Sequence, residues 1–77
     1  MTLLDAVRTR LANLIAEKGI KQYTLYKEGG IPRSTISQVL SGKKNKIELH
    51  TIYEMTATMG VTLKEFFDDP LFDDISD

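Results

Sequence analysis

The sequence predicts an all-α fold in which five short helices form one compact bundle. Apolar residues recur at spacings of three and four along five successive segments, which is the pattern of a helix with one buried face. Glycines end the first and fourth segments, at Gly19 and Gly60, and the Gly29-Gly30 pair separates the second segment from the third. With 77 residues, the chain has room for a single small domain.

The first helix is predicted to begin at Thr2 and to end at Gly19. Thr2-x-x-Asp5 resembles a capping box, because the Thr2 hydroxyl can accept a hydrogen bond from a free backbone N–H and Asp5 favours the positive end of the helix dipole. Arg8 and Arg10 lie off the apolar stripe, so we expect them to be solvated. The stripe consists of Leu4, Val7, Leu11, Leu14 and Ile15. We therefore expect this helix to be mainly scaffold.

The second and third helices are predicted to pack across a sharp turn. The second spans roughly residues 21–28, and Gly29-Gly30 then turns the chain, since glycine adopts a positive φ without steric cost. Ile31 is expected to be a buried anchor. Pro32 supplies a preset φ at the start of the third helix, which spans roughly residues 33–40.

The outer face of the third helix is polar, short and uncharged. At about 100° per residue, one side of this helix carries an apolar stripe of Ile36, Val39 and Leu40. The opposite side carries Ser34, Gln38 and Ser41, with Ser37 beside them. Hydroxyl and amide groups can hydrogen-bond to base edges, whereas DNA would repel bulky acidic side chains. This face therefore suits the floor of the major groove of DNA.

This stretch resembles the helix-turn-helix of the phage repressor and Cro family, the Xre-like regulators. The residues that match the pattern of the family are Gln22, Leu25, Gly30, Ile31, Ile36, Ser37 and Val39. The similarity continues through residues 43–45 and 60–66, and it covers roughly residues 8–67. The resemblance implies a repressor-like five-helix bundle with a helix-turn-helix formed by its second and third helices. It also implies a sequence-specific double-stranded DNA-binding transcriptional regulator, and more narrowly a repressor of phage, prophage or plasmid type.

The resemblance implies two groups of DNA contacts. In such motifs the start of the third helix points at the bases, and the implied base-reading residues are Arg33, Ser34, Ser37 and Gln38. Gln22 matches a family glutamine that resembles a phosphate clamp, and the free N–H groups at a helix start favour anions. The residues expected to contact phosphate are Lys21, Gln22, Ser41, Lys43, Lys44, Asn45 and Lys46.

The basic loop, residues 42–46, and two departures from the family pattern bear on this interface. Three lysines beside the third helix favour phosphate contact over the alternative of an ordinary solvated loop. Tyr26 stands where the family usually has a small residue, so it must tilt the second helix or point its hydroxyl outward. We expect Tyr23 and Tyr26 to pack rather than to act as stacking platforms. Pro32 replaces the usual Ser or Thr cap of the third helix, so one N-terminal hydrogen bond is expected to be lost.

The fourth and fifth helices complete the predicted DNA-binding domain, residues 1–67. The fourth helix is amphipathic, and its apolar positions are Leu49, Ile52, Met55 and Met59. Thr62-x-x-Glu65 is a capping box that opens the fifth helix, in which Phe66 is expected in the core. We define the acidic tail as residues 68–77, which include five aspartates and are expected to be frayed. The apolar residues of the tail also leave open docking onto a partner subunit.

The charge of the chain is divided between its two halves. Residues 1–47 hold nine basic and three acidic residues, a net charge of +6, whereas residues 48–77 hold one basic and eight acidic residues, a net charge of −7. This division favours a basic face for a polyanion, with an acidic end kept away from it, over an ordinary scatter of charge. The expected partner is double-stranded DNA, bound by a homodimer on a pseudo-palindromic operator. The dimer contact is expected at the fifth helix, its flanks or the acidic tail.

Other functions find little support in the sequence. Without cysteine there is no disulfide or thiolate metal site, and His50 is a lone histidine, so no metal, cofactor or small-molecule ligand is expected. No nucleophile with its base and no phosphate-binding glycine motif is present, so an enzyme is not expected. No long apolar segment is present, and a cytoplasmic protein without membrane contact is expected. One alternative stays open, a protein-interaction module on the same fold, such as an antitoxin or co-regulator. The acidic tail and the near-neutral net charge favour it.

Overall fold

Each of the five apolar segments forms an α-helix in the computed structural model, which describes residues 1–77 and contains no strand. The predicted all-α fold is therefore confirmed, and the second and third helices lie close to their predicted ranges. The helices are α1 (Leu3–Lys18), α2 (Gln22–Gly29), α3 (Arg33–Ser41), α4 (Leu49–Thr58) and α5 (Leu63–Phe67), followed by a short 3₁₀ helix (Pro70–Phe72).

Local hydrogen bonds determine where α1 and α5 begin. The Thr2 hydroxyl accepts a hydrogen bond from the Asp5 backbone N–H at 3.1 Å. At α5, the Thr62 hydroxyl accepts one from the Glu65 N–H, and the Glu65 carboxylate accepts one from the Thr62 N–H, both at 3.1 Å. The capping box predicted at Thr62 is thus confirmed. At Thr2 only half of the box forms, because the Asp5 carboxylate pairs with Arg8 instead.

Apolar residues from all five helices meet in one core. Ile31, in the connection between α2 and α3, and Phe66, on α5, are buried as predicted. Complete burial of one large apolar side chain contributes about 1.5–3 kcal/mol to folding, so these contacts hold the short helices together. The twelve core residues are Val7, Leu11, Leu14, Leu25, Ile31, Ile36, Val39, Ile52, Met55, Met59, Val61 and Phe66.

Leu49, one of the predicted apolar positions of α4, does not belong to this core. Its side chain is 61% exposed, although it continues the α4 stripe one turn before Ile52. The stripe extends past the region that neighbouring helices cover. Leu49 instead lines an open groove with Ile47 and Phe67.

The two glycines between α2 and α3 have different roles. Gly30 has a φ of 69°, in the left-handed region, and its N–H donates to the Tyr26 carbonyl at 3.1 Å. Gly29 is instead the last residue of α2, and a Cβ at this position would lie 2.5 Å from Thr58 Oγ1. Gly30 therefore turns the chain, whereas Gly29 lets α2 approach α4 closely.

Arg10 joins α1 to the end of α5, so the expectation that it is solvated was wrong. Its Nε donates to the Phe66 carbonyl and its Nη2 to the Glu65 carbonyl, both at 2.8 Å. Its Nη1 lies 3.1 Å from an Asp69 carboxylate oxygen, and the side chain is only 12% exposed. The last carbonyls of a helix lack partners within the helix, and Arg10 supplies donors to them.

The expectation of a frayed acidic tail was also wrong. The Asp69 carboxylate caps the 3₁₀ helix by accepting a hydrogen bond from the Leu71 N–H at 2.9 Å. The centroid of the Phe72 ring lies 5.8 Å from that of Phe66 and 5.1 Å from that of Phe67. Because these aromatic contacts add to the Arg10–Asp69 ion pair, the tail packs onto α1 and α5.

The last residues of the tail return to the start of α1. The Asp77 carboxylate accepts a hydrogen bond from the Leu3 N–H at 2.6 Å, and the Ser76 N–H donates to the Met1 carbonyl at 3.1 Å. The tail is thus held at both of its ends. The division of the chain into residues 1–67 and 68–77 stays a prediction.

Candidate nucleic-acid interface

The buried side of α3 holds this helix in place. Ile36 and Val39 are almost completely buried, and Leu40 packs against the core from the same side of the helix. The exposed polar residues of α3 are Arg33, Ser34, Ser37, Gln38 and Ser41. The four residues predicted to read bases are therefore all exposed on α3, as reading a groove requires. Their contact with bases stays a prediction.

The starts of α2 and α3 present backbone N–H groups that no side chain caps. Lys21 precedes α2 and Pro32 precedes α3, and neither makes a side-chain capping hydrogen bond. Unpaired N–H groups and the helix dipole together produce a partial positive charge that favours an anion. Lys21 and Gln22 are both exposed at the start of α2. These two predicted phosphate contacts thus lie where a phosphate group is favoured.

An open cleft of about 340 Å³ lies between the start of α2 and the first turns of α3. Its lining residues are Gln22, Tyr23, Arg33, Ile36 and Ser37. The fold therefore brings Gln22, predicted to bind phosphate, next to Arg33 and Ser37, predicted to read bases. An amide, a guanidinium and a hydroxyl in one cleft can donate several hydrogen bonds to a nucleic acid.

Tyr23 and Tyr26 form a partly exposed aromatic surface at this cleft, where they pack near each other and against Arg33. They are 53% and 41% exposed, and their ring centroids lie 6.2 Å apart. The Cζ atom of Arg33 lies 4.5 Å from the Tyr26 centroid and 5.5 Å from the Tyr23 centroid. The i, i+3 spacing of the tyrosines was visible in the sequence. Their contact with Arg33 was not, because it depends on how α2 packs against α3.

The basic loop leaves α3 through a tight turn. Gly42 has a φ of 80°, and the Lys43 N–H donates to the Gln38 carbonyl at 3.2 Å. The Ser41 hydroxyl also donates to the Gln38 carbonyl, at 3.3 Å. These hydrogen bonds fix the end of α3. The Ser41 hydroxyl already donates its proton to a carbonyl of the protein.

The side chains of the basic loop do not all face the same region. Lys43 is exposed at the end of α3, whereas Lys44 is half-buried. Asn45 and Lys46 are exposed and border the groove that Leu49 lines. Of the predicted phosphate contacts, only Gln22 lines the cleft. Asn45 and Lys46 reach a different part of the surface.

Arg8 places a cationic group beside the basic loop. A Cβ on Gly42 would lie 2.7 Å from Arg8 Nη1, so the guanidinium packs against the start of the basic loop. The same side chain donates a hydrogen bond to the Asp5 carboxylate, which partly neutralises its charge. The expectation that Arg8 is simply solvated was wrong. The Asp5–Arg8 spacing was visible in the sequence, but the contact with Gly42 requires the packing of α1 against α3.

His50 lies on the exposed side of α4, with its Nε2 atom 4.0 Å from a Glu54 carboxylate oxygen. The structure contains no group of three or more histidine, cysteine, aspartate or glutamate side chains that could hold a metal ion. None of the helices is both long enough and apolar enough to cross a bilayer.

Comparison with known proteins identifies the family. Residues 10–70 match the Cro/C1-type HTH DNA-binding domain, whereas no curated protein and no solved structure matches the chain significantly. The matched residues include most of α1 and all of the other α-helices, and therefore the polar face of α3, the cleft and the basic loop. The resemblance noted in the sequence is confirmed. The chain belongs to the family of Cro/C1-type helix-turn-helix DNA-binding domains.

Proposed function

We propose that this protein is a sequence-specific transcriptional regulator that binds double-stranded DNA, as a repressor of phage, prophage or plasmid type. In this proposal residues 33–40 enter the major groove. The observation that carries it is the exposed polar face of α3 beside the uncapped start of α2, within a Cro/C1-type domain. The proposed function is DNA binding and not catalysis. The proposed location of the protein is the cytoplasm, because a regulator of transcription acts where the DNA is.

The side chains of this surface divide into those that read bases and those that position the protein. Gln38 can pair through its amide with adenine N6 and N7, and Arg33 can pair through its guanidinium with guanine O6 and N7. Ser34 and Ser37 are the other proposed base contacts. The proposed phosphate contacts, which fix the register on the duplex, are Lys21, Gln22, Lys43, Lys44, Asn45 and Lys46. Ser41 would contact phosphate only by exchanging its hydrogen bond to the Gln38 carbonyl for one to the DNA.

Selection from a pool of random duplexes tests the proposal directly. The wild-type protein should enrich a defined sequence, and its affinity for that duplex should depend strongly on salt. If a dimer neutralises roughly 6–10 phosphates, affinity should fall about 10³–10⁵-fold between 50 and 200 mM salt. Binding assays at several salt concentrations measure this slope. Failure to bind any DNA at low salt, or a slope near zero, would refute the proposal.

We further propose that the regulator is a homodimer on a pseudo-palindromic operator. Leu3, Leu49 and Phe67 are exposed and line a groove of about 380 Å³ beside α5. A second copy placed over this groove would remove these apolar side chains from water. A two-fold axis would then present two α3 helices to half-sites about 34–36 Å apart.

The exposed Leu49 offers a test of the dimer that should leave the fold intact. Leu49→Lys introduces a charge into the proposed contact, so sedimentation velocity should show a lower dimer fraction and weaker binding to the selected duplex. Thermal unfolding of the monomeric form should change little, since Leu49 is outside the core. An unchanged dimer fraction would exclude this groove as the contact.

A protein-interaction module, such as an antitoxin or co-regulator, is the second candidate. The observation that favours it is the packed acidic tail, whose exposed aspartates Asp68, Asp73 and Asp74 give one part of the surface a negative charge. The DNA selection separates the two candidates. A sequence-specific regulator enriches one sequence, whereas an interaction module that does not bind DNA enriches none.

A further inference from the structure

Arg33 differs from the other two arginines of the chain in how its guanidinium is held. Arg8 pairs with Asp5, and Arg10 donates to two backbone carbonyls and to Asp69. No carboxylate lies within ion-pair distance of Arg33, and its guanidinium donates no hydrogen bond within the protein. Its Cζ atom lies over the rings of Tyr26 and Tyr23 instead. Its donors therefore remain available to a ligand.

An aromatic face is suited to holding a guanidinium without using its hydrogen-bond donors. The attraction comes from the ring quadrupole and leaves the donors free, whereas a carboxylate partner would occupy two donors. An arginine side chain that rotates freely loses rotamer entropy when it is immobilised. Stacking on Tyr26 restricts the side chain before it meets a ligand, so less of this entropy is lost on binding.

The position of Arg33 indicates what the available donors would meet. It is the first residue of α3 and borders the open cleft that Gln22 and Ser37 also line, so no protein group fills the space beside it. A planar guanidinium with free donors matches the O6 and N7 acceptors of guanine. Adenine offers one acceptor and one donor on the same edge and is matched less well.

We propose that Tyr26, assisted by Tyr23, is a positioning residue that preorganises Arg33 to read one guanine in the major groove. This inference rests on the proposed function, since it assumes that α3 enters that groove. Tyr26 itself contacts no base in this arrangement and acts only through Arg33.

A purely structural role for Tyr26 makes a different prediction. If the ring only packs α2 against α3, its removal lowers the stability of the fold and weakens binding to every duplex by the same factor. If it positions Arg33, its removal weakens binding to the selected duplex and reduces the preference for guanine at one position. The two roles are distinguished by base preference, which stability alone does not change.

The experiment uses the duplex that the wild-type protein selects, together with duplexes in which each G·C pair is replaced in turn. Tyr26→Leu removes the ring and Tyr26→Phe retains it. Tyr53→Leu is the matched control, because Tyr53 is a similarly exposed tyrosine on α4, outside the contact with Arg33. Arg33→Ala and the double variant with Tyr26→Leu complete the thermodynamic cycle. Circular dichroism melts establish that each variant is folded at the assay temperature.

We expect Tyr26→Leu to weaken binding to the selected duplex by about two- to fivefold, the loss of a 0.5–1 kcal/mol contact, and to leave binding to a scrambled duplex unchanged. Tyr26→Phe and Tyr53→Leu should bind like wild type. The penalty for replacing one particular guanine should shrink in Tyr26→Leu and vanish in Arg33→Ala. The double variant should bind no worse than Arg33→Ala alone.

Equal losses on the selected and scrambled duplexes, or an unchanged guanine penalty in Tyr26→Leu, would overturn the inference while leaving the proposed function intact. If Tyr26→Leu does not fold, Tyr26→Met takes its place in the same comparison, because it also removes the ring but keeps a long apolar side chain. An unchanged guanine penalty in Tyr26→Met would refute the assignment. If the wild-type protein selects no sequence, the proposed function fails and this inference fails with it.

Discussion

Gln38 and Lys44 carry groups that suit different parts of a DNA duplex. Gln38 is exposed on the polar face of α3, and its amide can both donate to and accept from an adenine edge. Lys44 follows α3 in the basic loop and offers a single positive charge without directional preference. A base contact and a phosphate contact therefore respond differently to a change of DNA sequence.

Alanine substitutions at these two residues separate reading from positioning. Gln38→Ala should cost about 1–3 kcal/mol on the selected duplex and have little effect on a scrambled one. Lys44→Ala should weaken binding to both duplexes alike and reduce the salt slope by about one. Both variants should fold, since neither residue is in the core. Titrations of each variant on both duplexes measure these effects. If the ratio of the affinity lost on the selected duplex to that lost on the scrambled duplex is the same for both variants, Gln38 does not read a base.

Among the helices, α5 depends most on its cap because it has only five residues. The Glu65 carboxylate accepts a hydrogen bond from the Thr62 backbone N–H, and this bond, together with the nearby Thr62 hydroxyl, lowers the pKa of the Glu65 carboxyl. A lowered pKa in the folded state means that the carboxylate stabilises the fold fully above the ordinary pKa of a glutamate, about 4.3. The contribution is lost as the pH falls through the lower folded value.

Glu65→Gln should therefore remove a contribution that depends on pH. The wild-type protein should be more stable than the variant at pH 7, and this difference should be smaller at an acid pH at which the Glu65 carboxylate is protonated. Thermal unfolding of both proteins at the two pH values measures the difference, and an NMR titration of the Glu65 carboxyl carbon measures its pKa. A titration at or above the ordinary value would contradict the role assigned to the capping box.

The approach of α2 to α4 depends on the missing side chain of Gly29. Gly29→Ala would place a Cβ 2.5 Å from Thr58 Oγ1, and the Thr58 hydroxyl is held by a hydrogen bond to the Glu54 carbonyl at 2.8 Å. Overpacking costs about 1–3 kcal/mol, whereas alanine gains about 1 kcal/mol over glycine in a helix. We expect a net loss of about 1 kcal/mol in the free energy of unfolding, measured by urea denaturation.

Thr58→Ala supplies the matched control for this clash. It removes the oxygen that a Cβ at position 29 would meet, so Gly29→Ala should be tolerated better in the Thr58→Ala background than in the wild type. Equal effects of Gly29→Ala in both backgrounds would show that Thr58 does not limit the approach of the two helices.

At the scale of the whole molecule, the acidic tail packs against both α1 and α5. Arg10 on α1 contacts the α5 carbonyls and Asp69, and Phe72 packs on Phe66. The tail thus neutralises one of the basic residues of the N-terminal half and covers part of the core. A domain of this size has a net stability of only about 4–11 kcal/mol, so these contacts matter for the whole fold.

Deletion of residues 68–77 should therefore lower stability. Phe72 is half-buried, so the loss of its burial should cost about 1–2 kcal/mol, with less than about 1 kcal/mol more from the Arg10–Asp69 pair. Urea denaturation of the shortened protein and of Phe72→Ala measures this loss. The control is the double variant Asp73→Asn/Asp74→Asn, which reduces the negative charge at exposed positions and should leave stability unchanged. An equally stable shortened protein would restore the interpretation of the tail as a separate segment.

Features that depend on neighbouring residues in the sequence were predictable. The five helices, the Thr62 capping box, the turn at Gly30 and the buried stripe of α3 each require residues within about one or two helical turns of one another. The candidate base-reading face of α3 follows from the same helical period, since the side opposite a buried stripe must be exposed.

Contacts between helices were decided only by the tertiary structure. Arg10 and Asp69 are far apart in the sequence. Nothing in the spacing of either segment indicates that Arg10 Nη1 lies 3.1 Å from an Asp69 carboxylate oxygen. The stack of Arg33 on Tyr26 likewise depends on the angle and distance at which α2 and α3 pack. Leu49 shows the converse case, because its spacing predicts burial but no neighbouring element covers it. A periodic pattern determines which side of a helix faces inward, whereas the position of the neighbouring helices determines what that side contacts.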